Sequence, residues 1–150
     1  MTVPRPCLID SNVLIYMYDD HAADNQRRAI QVFNHLVRRR RAALSTQCLT
    51  ELFNGVTRRI QDRLPASDAA MLIDEVASAT VVHPLTLDVV RTAVAAVGQH
   101  QISIWDALIW SVAFHNGIAT VLTEDMQSQP VIAGVRYVNP FAPDFDLDSL

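Results

Sequence analysis

The chain has little glycine, four residues in 150, and no glycine-rich phosphate loop. No serine sits in a nucleophile-elbow motif. Nucleotide cradling by backbone amides and serine-hydrolase chemistry therefore have no support. Cysteine is equally sparse: Cys7 and Cys48 lie far apart, match no metal spacing, and read as buried free thiols of a reducing compartment. His21, His35, His83, His100 and His115 show no pairing pattern and read as structural or surface groups. No run approaches the ~18 apolar residues of a membrane span. Residues 1–6 lack the charged-then-apolar layout of a signal peptide. There is no internal repeat and no low-complexity segment. A soluble cytoplasmic protein is expected.

Positive charge is also in short supply, with a formal net charge of −4. A protein that binds nucleic acid by its own field is usually basic. This one needs metal ions, a local basic patch or a partner to approach phosphates. What the chain has is apolar content, at 50%. At this length that predicts one packed domain over residues 1–150, burying about 70% of its extended-chain surface.

The most informative stretch is Cys7-Leu8-Ile9-Asp10-Ser11-Asn12-Val13-Leu14. An apolar run too short for a helix stops at three polar residues, and a second apolar run follows. This pattern predicts a buried strand over residues 7–10 and a helix from about Asn12, with Ser11 and Asn12 as capping residues. The polar stretch 19–25 predicts a loop that caps the next helix, whose apolar face is Ile30, Phe33 and Val37. That helix ends in Arg38, Arg39, Arg40 and Arg41. These are either cations favoured at a helix C-terminus or a phosphate-contacting patch.

Residues 42–45 predict a second strand. Thr46 is a candidate cap for a helix carrying Leu49, Leu52, Phe53, Val56 and Ile60, with Arg58, Arg59 and Arg63 at its far end. Ser67 opens a further helix to about Ala79, and residues 81–83 predict a third strand. Thr86 caps a helix with Leu87, Val90, Val94 and Val97 on one face, broken at Gly98. Ser103 opens a helix with Trp105, Leu108, Ile109 and Val112 as its stripe, stopped by Asn116-Gly117. Residues 119–123 and 135–138 predict strands four and five. Strands alternating with helices imply βαβ units, hence an α/β fold with a five-stranded parallel sheet flanked by helices.

Four carboxylates stand out by position. Asp10 and Asp125 follow strands one and four, while Glu51 and Asp106 lie in the first turns of helices. In a parallel sheet these places share one edge, where ligand sites form. Carboxylates forced together repel and raise one another's pKa. A divalent cation among them removes that cost, and oxygen-only ligands suit Mg²⁺ or Mn²⁺ rather than zinc. Each acid also has a plain reading: Glu51 as a solvated helix residue, Asp106 as part of a capping box with Ser103, Asp125 as a turn residue. The joint placement is the signal.

With these motifs in place, the chain resembles the PIN-domain ribonucleases, in particular the VapC-type toxins of bacterial toxin–antitoxin pairs. The resemblance rests on Leu8-Ile9-Asp10-Ser11-Asn12-Val13-Leu14, Ser45-Thr46-Gln47-Cys48-Leu49-Thr50-Glu51-Leu52, Ser103-Ile104-Trp105-Asp106-Ala107-Leu108-Ile109, Leu122-Thr123-Glu124-Asp125 and Val135-Arg136-Tyr137-Val138-Asn139-Pro140-Phe141. It implies a PIN-like three-layer sandwich, often in a homodimer. It also implies Mg²⁺-dependent endonuclease cleavage of RNA, with Mn²⁺ substituting, and inhibition by a VapB-like antitoxin, a small DNA-binding protein. The family's acids carry over to Asp10, Glu51, Asp106 and Asp125. Asp125 is preferred over Glu124 because it holds the family position after Thr-Glu.

Asp10 and Asp106 are then the chief metal ligands. Ser11, Asn12 and Thr123 are candidates to hold the site in shape. Arg38, Arg39, Arg40, Arg41, Arg58 and Arg59 are candidate RNA-backbone contacts. Leu14, Trp110 and Phe114 are candidates for an antitoxin-covered surface, or for core. Two alternatives stay open. One is a phosphatase or phosphotransfer domain with Asp10 as nucleophile, although Asn12 stands where a haloacid-dehalogenase-like enzyme wants a second Asp. The other is a non-catalytic PIN-fold binding protein whose acids hold an antitoxin arginine.

Overall fold

In chain order the elements are β1 (Cys7–Ile9), α1 (Ser11–Tyr16), α2 (Ala23–Arg38), β2 (Ala42–Ser45), α3 (Thr46–Asn54), α4 (Ala66–Ser78), β3 (Val81–His83), α5 (Leu87–His100), α6 (Ile104–His115), β4 (Thr120–Leu122), β5 (Val131–Ile132) and β6 (Val135–Val138). The computed structural model describes residues 4–126 and 131–150; residues 1–3, part of the N-terminal stretch read above, lie outside them. The strands form one sheet in the order β3-β2-β1-β4-β6-β5. β1, β2, β3, β4 and β6 are parallel, with Leu8 paired to both Ala43 and Val121. Among the described residues no helix is long and apolar enough to cross a membrane.

The expected sheet of five parallel strands is corrected to six. The added β5 runs antiparallel to β6 at the edge. Ala133 (φ 47°) and Gly134 (φ 82°) make the tight turn between them, the positive-φ pair that a two-residue hairpin requires. Two residues are too few to show an alternating pattern, so β5 leaves no sequence signal. β4 is also shorter than residues 119–123.

Several helix starts differ from expectation, two of them for a capping reason. β1 ends at Ile9, and Asp10 itself is the cap of α1, its Oδ1 accepting from Ser11 N at 2.7 Å. Ser45, not Thr46, caps α3, accepting from Cys48 N at 3.1 Å. α2 starts behind Ala22 with no side-chain cap, so the 19–25 loop does not cap it. α4 starts at Ala66 behind Pro65 rather than at Ser67. The caps of α5 by Thr86 and of α6 by Ser103 are as expected. α5 runs through Gly98 to His100, where Gln101 turns left-handed (φ 55°). Beyond Asn54, α3 widens into a π-helical turn over Gly55–Arg59 instead of continuing as an α-helix. A 3₁₀ turn, Leu147–Ser149, lies in the tail.

Two apolar faces differ from expectation. α2 buries Ala29, Val32, Phe33 and Leu36, leaving Ile30 exposed and Val37 partly buried. α5 buries Val89, Ala93 and Ala96 and turns Leu87, Val90 and Val94 outward. Small residues let α5 and α6 approach closely, and α6 is buried from Ala107 through Ala113. Leu14 and Trp110 belong to the core, while Phe114 is exposed and stacks on Trp110 at 5.2 Å. Both cysteines are buried free thiols; burial, and after it the Asp10 charge, pushes Cys48 up to about 12.

Candidate active site

The parallel strands bring β1 and β4 to a common carboxyl edge. Asp10 N bonds Leu122 O at 2.9 Å, and Thr123 N bonds Val138 O at 3.0 Å. The chain therefore leaves the sheet at Asp10 and at Thr123 side by side. α3 and α6 start nearby; Asp106 stands in the first turn of α6, while Glu51 stands in the second turn of α3 rather than the first. The result is a cleft of about 400 Å³ lined by Asp10, Glu51, Asp106 and Asp125, with Ser11, Asn12, Gln47, Arg59, Trp105, Ile15 and Ile109. All four acids predicted from sequence thus share one cavity. Glu124 points elsewhere and accepts from the Tyr16 hydroxyl at 3.3 Å.

A hydrogen-bond network holds the acids. Thr123 Oγ1 donates to Asp10 Oδ2 at 2.8 Å and accepts from Asp125 N at 3.3 Å. Asn12 Nδ2 reaches both Thr123 Oγ1 and Asp125 Oδ2 at 3.1 Å. Ser11 Oγ donates to Glu51 Oε2, and Gln47 Nε2 donates to Glu51 Oε1 at 2.8 Å. Ser103 Oγ donates to Asp106 Oδ2 at 2.9 Å. Ser11, Asn12 and Thr123 each touch one or more of the acids. Gln47 was not singled out from sequence; its spacing of four before Glu51 on a helix is the signal that could have found it.

Burial pushes the Asp10 carboxyl up to about 6, against hydrogen bonds from Thr123 and Ser11 that favour its anion; the charges of Glu51 and Asp125 add to the rise. Tyr137 lies behind the same acids on β6. Burial, then the Asp106 and Asp10 charges, raise its pKa, and among the described residues its buried hydroxyl has no hydrogen-bond partner.

A cation fits this cleft in kind, since every charged donor is a hard oxygen. It does not yet fit in distance: among the described residues no three His, Cys, Asp or Glu groups stand close enough to hold one ion.

The arginines divide. Arg59 lines the cleft, while Arg58 is exposed outside it. Arg38, Arg39, Arg40 and Arg41 are not brought to the acids. Arg41 O accepts from Cys7 N at 2.8 Å, which puts the run at the amino edge of the sheet, a strand length away. Arg41 Nε bonds Arg5 O and Arg39 contacts the His35 ring, so part of the run has local partners. Trp105, expected in the buried stripe of α6, is 66% exposed at the cleft.

This geometry can be set beside known proteins. The chain is similar in structure to a toxin–antitoxin complex from Klebsiella pneumoniae (TM-score 0.64, 20% identity, covering 90% of this chain and 98% of that one). It is also similar to a Sarcin-Ricin loop cleaving VapC toxin from Mycobacterium tuberculosis (0.61, 19%, 87% and 98%). A third similar structure is VapBC from Rickettsia felis bound to a DNA fragment from their promoter (0.62, 18%, 89% and 97%). No curated protein matches by sequence. The family described as the PIN domain matches residues 7–132. With that match spanning most of the chain, the protein belongs to the PIN-domain family.

Proposed function

We propose that the protein is a metal-dependent endoribonuclease acting as the toxin of a toxin–antitoxin pair in the cytoplasm. The single observation that carries this reading is the convergence of Asp10, Glu51, Asp106 and Asp125 on one cleft. Its similarity to a VapC toxin and to toxin–antitoxin complexes adds support, as does its membership of the PIN-domain family.

Asp10 and Asp106 are the residues that would hold a divalent cation, Mg²⁺ with Mn²⁺ substituting. Such an ion supplies positive charge to a phosphodiester and acidifies water at the site. The chain's own groups do the rest. Asp10 is kept in place by Ser11 N and Thr123 Oγ1, and Asp106 by Ser103. Glu51, fixed by Ser11 and Gln47, and Asp125, fixed by Asn12, are the acids available to accept a proton from the attacking water. Arg59 offers a cation to the RNA backbone at the cleft wall.

The partners in this reading are RNA as substrate, a VapB-like antitoxin that silences the cleft, and a second copy of the chain in a homodimer. Expression without the antitoxin is expected to arrest growth, and Asp10→Asn or Asp106→Asn to relieve the arrest. An inert wild type that still captures its antitoxin would favour a binding protein instead.

A further inference from the structure

We infer that Trp105 is a stacking platform for one unpaired RNA base beside the scissile phosphate, and so a specificity-determining residue. The inference rests on the ribonuclease reading above and adds the part of the substrate that the acids cannot recognise. Trp105 is 66% exposed and Trp110 is 5% exposed. An exposed indole leaves a large apolar surface in water, which is unfavourable unless something covers it. The covering group must enter the acidic cleft, because Trp105 lines it together with Asp10, Asp106 and Arg59.

Its surroundings define what that group is. Trp105 precedes Asp106, and Ser103 fixes this first turn of α6 by capping Asp106 N at 3.1 Å. Gln47 Nε2 bonds Trp105 O at 3.4 Å. Both ties fix the backbone from which the ring projects. A base has a flat π-face of its own that can lie on the exposed indole. Arg59, meanwhile, suits the sugar–phosphate side of the same strand. A base stacked inside a duplex has no free face, so the strand at Trp105 is a loop or single strand.

The two tryptophans supply the readout. A short single-stranded RNA is titrated into the Asp10→Asn protein, and intrinsic emission is followed alongside cleavage by the wild type. Quenching is expected with the intact strand and absent when the bases near the scissile bond are replaced by abasic sites. Trp105→Phe is expected to keep most of the binding, and Trp105→Leu to weaken it about tenfold, the order that base–aromatic stacking contributes. Both should melt like the wild type, since the side chain is outside the core. Equal quenching by the abasic strand, or unchanged RNA binding in Trp105→Leu, overturns the inference. Base-dependent quenching without any cleavage by the wild type supports the platform and counts against the ribonuclease reading. Cleavage without base-dependent quenching does the reverse. A Trp105→Leu protein that cuts RNA normally but loses its antitoxin reassigns the ring to a protein contact.

Discussion

Asp10 concentrates the physics of the site in one side chain. Two hydrogen bonds favour its anion, yet burial and two neighbouring acids outweigh them and push it up to about 6 from 3.8. The folded protein thus holds this proton more tightly than the unfolded chain. That contribution to stability is fully present below about pH 4 and is lost as the pH rises through 6. Asp10→Asn, neutral throughout, is expected to melt near the wild type at pH 5 and above it at pH 8, with chelator present. A clear loss of melting temperature at pH 8 would contradict the repulsion argument. The same proton competes with a cation for Asp10. Calorimetry is expected to show Mg²⁺ affinity increasing between pH 5 and pH 7, with most of that increase missing in Asp10→Asn.

At the scale of elements, the site depends on how closely α1 lies against the chain following α3. A Cβ on Gly55 would meet Ile15 Cδ1 at 2.5 Å and Cγ1 at 2.6 Å. Ile15 is β-branched, so its χ1 yields little, and it lines the cleft. Gly55→Ala is expected to cost about 1–3 kcal/mol in urea unfolding and to weaken Mg²⁺ binding by moving Ser11 away from Glu51. Ile15→Ala in the same protein should restore most of the stability. No recovery would mean that the glycine serves something other than this close approach.

The same scale shows what was legible in the sequence. The strand-ending Asp10 and the capping box around Asp106 announce themselves through local chemistry, and both line the cleft. Faces were harder to read. Hydrophobicity points to Val90 and Val94, but close helix packing uses Ala93 and Ala96. Trp105 falls in the apolar period of α6, yet at the helix start its ring stands mostly exposed, outside the core. The four-arginine run has no local mark of which sheet edge it occupies. Only the β1 to β2 pairing puts it opposite the acids.

For the whole molecule, an uncovered apolar face remains on α5: Leu87 is 62% exposed and Val94 59%, with Val90 between them. Spaced at three and four residues, they form one face. In line with the proposed homodimer, sedimentation is expected to give a dimer that Val90→Glu dissociates without unfolding. A wild-type monomer would remove the homodimer from the account. The acids make the larger claim. It is tested most directly by incubating purified protein with RNA, with Mg²⁺ or with chelator, and comparing wild type with Asp10→Asn and Asp106→Asn. The account predicts cleavage by wild type with Mg²⁺ alone, reduced at least about a hundredfold in either variant, as expected when a group that acts directly in the chemistry is lost. Cleavage that survives chelation, or that both variants retain, would contradict it.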